Sequence, residues 1–417
     1  MAIEDDVLVV GGGVAGMTAA LAAADEGASV RLVTKKQSTL RHASGLVDVL
    51  GYSPDGELLA DPFEAIADLP AEHPYSLVGT AAIRRGLERF DAVAGDLYRG
   101  GHTETNALLP THGGTVKPTA RYPASAAAGL ASDDRDALLV GFATLTDFDA
   151  PLAAEHLGAA GVPFDARGET VAFPGDLRAD AKVTRYAHLL DENADGERER
   201  LARRVARVHD GEPRVGFPAV LGSDHPTEVR TALEAELDAD VFEVPMGPPS
   251  LPGIRLEYAF RAALEDAGVH TVRNPVVDYE TDDDGRLTAA VVERNGQHIP
   301  HYADSFVLAT GGLVGKGLDS DREAVREPVF DCHVPHPADR YEWFVDEVFG
   351  DQPYARFGVV VDDELRPRDD EGRIEFENLR AAGSIVGGYD FAAECSGTGV
   401  SLATGDAAGR AAGQETQ

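Results

Sequence analysis

Cysteine is nearly absent from this chain of 417 residues: only Cys332 and Cys395 occur. Two isolated thiols with no CxxC pair cannot build a disulfide framework or a four-thiolate zinc or iron–sulfur site, and they exclude a disulfide-reductase mechanism. Lysine is equally scarce. The five are Lys35, Lys36, Lys117, Lys182 and Lys316, and arginine supplies the other basic positions. There is one tryptophan, Trp343, which is expected to serve packing. No apolar run approaches the ~20 residues of a membrane span. Nor does a basic or signal-type segment precede the first strand, so a cytoplasmic protein is expected, meeting a membrane only through partners. A second GxGxxG after a strand is missing, which speaks against a dedicated NAD(P)H domain.

Acid is what the chain has in excess. Asp and Glu total 72 against 37 Lys and Arg, a net charge of −35 at pH 7. Self-repulsion on that scale requires screening by concentrated salt. The acids are spread along the chain rather than gathered in a tail, which favours a halophilic adaptation over a dedicated acidic docking face. Nucleic-acid binding is disfavoured by the same charge.

The strongest local signal is at the N-terminus. Val7-Leu8-Val9-Val10 runs into Gly11-Gly12-Gly13-Val14-Ala15-Gly16, an alanine-rich helix follows, and Ser29–Val33 reads as the next strand. This is a βαβ unit of the size that binds a dinucleotide. Gly11 would allow the tight turn, Gly13 the approach of phosphates, and Gly16 close helix–strand packing. The helix N-terminus offers N–H groups and partial positive charge to an anion. The second strand ends atypically, in Thr34-Lys35-Lys36, where a ribose-binding Asp or Glu is usual.

Further glycine-rich strand ends follow. Ala303–Ala309 is an apolar strand closing on Thr310-Gly311-Gly312. Asn378–Ala382 is a strand ending at Gly383-Ser384, and Gly397-Thr398-Gly399-Val400-Ser401 opens a small-residue helix running to Ala412. The loop after the second strand, with Ser44 and Gly45, is polar and small enough to lie along a flavin ring. Candidate cofactor-binding residues are therefore Gly11, Gly13, Val14, Ala15, Gly16, Thr34, Lys35, Ser44, Gly45, Thr310, Gly311, Gly383, Ser384, Gly399, Val400 and Ser401. No catalytic residue is assigned: His42, His333 and His336 are candidate bases by type only. Cys332, His333 and His336 resemble a metal cluster in spacing, but satisfied structural histidines are expected there, so no metal site is assigned.

These features predict an α/β protein with a Rossmann-like FAD/NAD(P)-binding fold and an inserted α+β cap. The flavin-binding domain would occupy residues 1–75 and 271–417, and the cap 76–270. Helices are expected over 80–98, 149–157, 184–208, 228–237 and 255–267. A strand is expected over 269–277, and a hairpin turning at Asp282–Gly285.

Gly11–Gly16, Ala309–Gly312, Asn378–Gly383, Gly399–Leu402 and Gly409–Gly413 together resemble the FAD-binding fold of the fumarate reductase and glutathione reductase superfamily. More narrowly, Val33–Ser38 with Ser44-Gly45, Pro248–Gly253 and Gly387–Asp390 resemble the family of B subunits of anaerobic glycerol-3-phosphate dehydrogenases, over nearly the whole chain. That resemblance implies a flavoprotein subunit of an oxidoreductase complex converting sn-glycerol 3-phosphate to dihydroxyacetone phosphate, with electrons passing to the quinone pool in anaerobic respiration. It also implies two partners. One is a catalytic sister subunit carrying FAD and the substrate site. The other is a cysteine-rich subunit carrying iron–sulfur clusters and membrane contact. The family flavin is usually named as FMN, whereas a glycine turn suits the pyrophosphate of FAD, which FMN lacks; both stay open here. Two other readings stand beside it: a free-standing FAD oxidoreductase of the fumarate reductase type, and a structural subunit whose flavin pocket has decayed.

Overall fold

The computed structural model describes residues 3–178, 181–348 and 350–416. They divide into two compact units. Unit 1 comprises residues up to 39, 48–93 and 259 onward; unit 2 comprises 40–47 and 94–258. The stretch 76–93, grouped with the cap on sequence grounds, packs within unit 1.

Unit 1 is built on a seven-stranded sheet. Its elements are β1 (Ile3–Val10), α1 (Val14–Asp25), β2 (Val30–Thr34), α2 (Pro74–Ala94, kinked at Gly79), β3 (His270–Arg273), β4 (Val276–Thr281), β5 (Leu287–Arg294), β6 (Gln297–Leu308), β7 (Leu379–Ala381) and α3 (Gly397–Glu415). The strand order is β3-β2-β1-β6-β5-β4, with β7 also paired to β6. Neighbours β3/β2, β2/β1, β1/β6 and β6/β7 are parallel, whereas β6/β5 and β5/β4 are antiparallel. Register does the positioning. Val10 pairs with both Val33 and Leu308, and Leu308 with Ala381. The carboxyl ends of four parallel strands thus stop level, the place where open α/β sheets bind ligands. The run expected as one strand over 269–277 is two strands, broken at Asn274-Pro275, because proline cannot donate to a ladder.

Helices α1 and α3 lie against each other through small residues. A Cβ on Gly405 would come within 2.6 Å of Ala15 O, one on Gly409 within 2.1 Å of Ala19 O, and one on Gly413 within 3.0 Å of Ala23 O. Three glycines at a spacing of four thus let the two backbones meet. Gly409→Val is expected to destabilise unit 1 by about 2–3 kcal/mol, because rigid backbone must move apart. Gly158→Ala, where a Cβ meets nothing within 4 Å, should be neutral or stabilising by up to ~1 kcal/mol. Chemical denaturation in molar KCl compares the two.

Unit 2 carries a four-stranded parallel sheet in the order Asp240–Val244, Arg214–Pro218, Ala137–Phe142, Ala166–Val171, and two short antiparallel pairs. Phe142, Phe173, Tyr186 and Phe217 form an aromatic cluster in its core. Charged groups are sealed in the same unit. Arg214 is fully buried, donating to the carbonyls of Ala128, Leu130, Asp133 and Arg135, with its guanidinium over the Phe164 ring. Arg255 and Glu243 form a buried ion pair at 2.7 Å.

Candidate functional site

The level strand ends of unit 1 surround a cavity of about 490 Å³. Its floor is the turn from Gly11 to Ala15. Gly11 sits at φ +124, and a Cβ there would strike Ala309 O at 2.1 Å, so this turn requires glycine. Backbone bonds tie the strand ends together: Gly11 N donates to Val33 O (2.8 Å), Ala309 N to Val10 O (2.8 Å) and Ala382 N to Leu308 O (2.9 Å). No side chain caps the start of α1. Gly13, its N-cap, is extended (φ −82, ψ −176), and a Cβ there would meet only Thr39 Oγ1, at 3.8 Å. The space above the helix N-terminus is open for an anion.

The tip of β2 lines the cavity. Thr34 Oγ1 donates to Lys36 O (2.9 Å), and Lys36 Nζ reaches Gly315 O (2.7 Å), fastening the 312–317 loop to β2. Gly311, Ser384 and Ser401 also line it. Ser384 Oγ accepts from Gly312 N (3.2 Å), and Ser401 Oγ donates to Gly397 O (2.7 Å). Thr310 Oγ1 also faces this region, buried and without a hydrogen-bond partner.

The lining has an unusual charge. Lys35, Lys36 and Lys316 belong to it, three of the five lysines in the chain, against a single carboxylate, Asp319. In a protein of net charge −35 this is a local reversal of sign. It fits a ligand with phosphate groups.

Of the candidate residues, Gly11, Gly13, Val14, Ala15, Thr34, Lys35, Thr310, Gly311, Ser384 and Ser401 line this one cavity. The others do not, for steric reasons. A Cβ on Gly16 would lie 1.8 Å from Gly11 O, so that glycine serves the turn itself. Gly383 abuts Ala15 and donates its N–H to Thr404 Oγ1 (2.8 Å). Gly399 packs on Tyr75 Oη and the Asp48 carbonyl, and Val400 is fully buried. Ser44 and Gly45 belong to unit 2. There the Gly45 carbonyl accepts from Tyr98 Oη (2.7 Å), and a Cβ on Gly45 would meet Pro252 at 2.5 Å. The same packing explains Pro248–Gly253: Ser250 N donates to Arg41 O (2.8 Å), and a Cβ on Gly253 would meet Leu40 O at 1.9 Å.

Gln37–Thr39, the start of the polar loop expected beside a flavin, line the cavity, as do Lys316 and Asn274, which the sequence does not single out. The rarity of lysine was the available signal for Lys316. None of the histidines lines it. His336 bonds Val325 N and Val334 O and packs on Trp343, whose Nε1 donates to Pro337 O (2.7 Å). His333 lies beside the buried Cys332, whose thiol is pushed up by burial and by Glu327. His42 is in unit 2. Among the described residues no group of three His, Cys, Asp or Glu side chains is placed to hold a metal ion. Nor is any helix long and apolar enough to cross a membrane.

Comparison with known proteins adds three matches and a family. The family described as FAD binding domain covers residues 6–400. A Halobacterium salinarum protein named as a probable B subunit of anaerobic glycerol-3-phosphate dehydrogenase is 63% identical over 424 residues, spanning 99% of either chain. A Yersinia pestis protein named as the B subunit of the anaerobic enzyme is 30% identical over 418 residues, 95% of either chain. A similarly named Pectobacterium atrosepticum protein is 29% identical over 416 residues, 95% of this chain and 96% of its own.

Proposed function

This chain belongs to the family of anaerobic glycerol-3-phosphate dehydrogenase B subunits, and from that premise we propose that it is the flavin-bearing electron-transfer subunit of such a complex. The complex oxidises sn-glycerol 3-phosphate to dihydroxyacetone phosphate and delivers electrons to the quinone pool. Its partners are a catalytic, FAD-bearing sister subunit and an iron–sulfur subunit that contacts the membrane. Through them this chain sits at the cytoplasmic face of the membrane. The observation that carries the reading is the lysine-rimmed cavity above an uncapped helix N-terminus, in a chain otherwise dominated by acid.

The flavin, when bound, supplies a two-electron acceptor that can release electrons singly. The protein's part is to hold it. Backbone N–H groups of the Gly13–Ala15 turn would take the phosphates, helped by the positive end of α1. The lone pairs of Thr34 Oγ1, whose proton is already given to Lys36 O, would accept from ribose hydroxyls in place of the usual carboxylate. The hydroxyls of Thr310, Ser384 and Ser401 would meet the polar edge of the ring system. A glycine turn at the head of α1 suits a pyrophosphate, which FMN lacks, and this favours FAD over FMN. No histidine lines the cavity. That supports electron relay here, with substrate oxidation in the sister subunit. An open cavity also weighs against a decayed relic.

The test is to purify the chain from its own host in molar KCl, release the cofactor with acid and weigh it. FAD supports the reading, FMN overturns the dinucleotide assignment, and the absence of flavin overturns the role. The lysines make a second expectation. Lys35→Gln combined with Lys316→Gln should weaken flavin binding roughly tenfold, since each removes an electrostatic attraction of about 0.5–1 kcal/mol. Fluorescence titration of the apoprotein with flavin measures it.

A further inference from the structure

The strand order of unit 1 sets three chain segments side by side at the cavity. β1 ends in the glycine turn, its neighbour β2 ends in Thr34, and beyond β2 lies the edge strand β3. Arg273 on β3 pairs with Thr34, so the next residue, Asn274, leaves the sheet level with Lys35, and both line the cavity. Two strand spacings, roughly 10 Å, separate the end of β3 from the end of β1. The crossing from β3 into β4 is pinned by two bonds. Asn274 Nδ2 donates to Glu293 O (2.9 Å), and Glu293 N donates to Pro275 O (3.0 Å). A carbonyl can only accept, so the first bond fixes which end of the Asn274 amide carries the nitrogen. One N–H and Oδ1 of that amide remain, and among the described residues neither takes a protein partner. Val276 lines the cavity too and adds an apolar surface. A neutral donor and acceptor, held side by side in a fixed sense, thus border a cavity whose other polar features suit phosphates and a ribose.

We propose that Asn274 recognises the adenine of the bound dinucleotide, its Oδ1 accepting from the 6-amino group and its free N–H donating to the neighbouring ring nitrogen. The proposal rests on the functional reading above, which puts the phosphates at Gly13–Ala15 and the ribose at Thr34. The base then continues in the same direction, to the end of β3. An asparagine amide matches adenine because each offers one donor beside one acceptor. A base with oxygen at position 6 turns that donor into an acceptor, and Oδ1 then faces another lone pair. The amide cannot turn over to suit such a base without giving up Glu293 O. Nor can the base slide along the amide without drawing the ribose away from Thr34. FMN has no base and is indifferent to residue 274. Asn274 is therefore a specificity-determining residue for the cofactor. Being uncharged, it keeps its effect in the concentrated salt that screens the lysines.

The test uses the full chain, purified from its own host in molar KCl and freed of its flavin. Fluorescence titration measures the binding of FAD, of the analogue carrying hypoxanthine in place of adenine, and of FMN. The wild-type chain should bind FAD roughly tenfold or more tighter than the analogue, the worth of one two-point base contact. Asn274→Leu, similar in size, should bind FAD roughly tenfold or more weaker than the wild type and hold FAD and the analogue within about twofold of each other. Its affinity for FMN should be that of the wild type. The wild-type comparison needs no substitution, so it stands whether or not the variant folds. Equal wild-type affinity for FAD and the analogue, with FMN weaker than both, overturns the adenine contact and leaves the dinucleotide reading standing. An Asn274→Leu chain that keeps its thermal midpoint but loses FMN and FAD in the same proportion also overturns the contact, for then the residue only shapes the cavity. FMN bound by the wild type as tightly as FAD overturns the dinucleotide reading and the adenine contact with it.

Discussion

Gly13→Asp is expected to abolish flavin binding while leaving the protein as stable as before, or slightly more so. Residue 13 is extended, a backbone any L-residue adopts, and its Cβ has only Thr39 Oγ1 within 4 Å, at an ordinary contact distance. It is also the N-cap of α1, where no side chain now accepts from the first turn. Aspartate is a strong N-cap, and replacing glycine there is worth a few tenths of a kcal/mol. The same carboxylate occupies the N–H groups that would hold the phosphates and repels them. The loss in affinity is of the order of one charged hydrogen bond plus like-charge repulsion, about 2.7 kcal/mol or roughly a hundredfold. Gly11→Ala and Gly16→Ala are contrasting cases. Their Cβ atoms would collide with backbone at 2.1 and 1.8 Å, so both should lose the fold along with the flavin. Flavin absorbance per chain, read beside the thermal midpoint, separates the two classes. If Gly13→Asp keeps its flavin, the phosphates do not sit at the head of α1.

Within unit 2 the largest expected effect on stability lies at Glu243. Its Oε1 accepts from Leu221 N (2.7 Å) and Arg255 Nη2 (3.1 Å), and its Oε2 from Arg255 Nη1 (2.7 Å) and Ser125 Oγ (2.6 Å). Arg255 is 7% exposed and Glu243 1%. Glu243→Ala leaves a buried guanidinium facing only the Gly222 carbonyl and the Ser125 hydroxyl. The expected cost is about 3–5 kcal/mol, the range for breaking a buried pair by removing one partner. Glu243→Gln keeps the shape and part of the bonding, and should cost less than half as much. Hydrogen exchange of the Ala137–Phe142 amides reports on unit 2 directly. Equal protection in Glu243→Ala and the parent would show that the pair contributes nothing.

That same pair explains where the sequence was hard to read. β1, its glycine turn, α1 and β2 declare themselves locally, through an apolar run, small residues and a stop at Gly27, and the structure has all four, with β1 beginning at Ile3, ahead of the apolar run at Val7. The hairpin at Asp282–Gly285 is equally local. The strands Arg214–Pro218 and Asp240–Val244 are not. One contains Arg214, Gly216 and Pro218, the other Glu243, and such residues read as loop until their partners are known. Those partners are distant carbonyls for Arg214 and Arg255 for Glu243.

Glycines pose the converse difficulty. Gly13 and Gly409 look alike in sequence, yet one leaves space above a helix and the other admits a neighbouring backbone at Ala19. Only the fold tells a ligand glycine from a packing glycine, which is why Gly383 and Gly399 looked like site residues. Lys316 was missed for a related reason. It lies far along the chain from Lys35 and Lys36, and only the level ends of β1, β2 and β6 bring its loop to them.

The account stands on one cleft holding one dinucleotide, and an experimental structure of the native chain with its cofactor measures that directly. The phosphates should lie against the backbone of Gly13–Ala15, the ribose beside Thr34 and the ring system toward Ser384 and Ser401. Density for the flavin elsewhere, with this cleft filled by side chains, would contradict it.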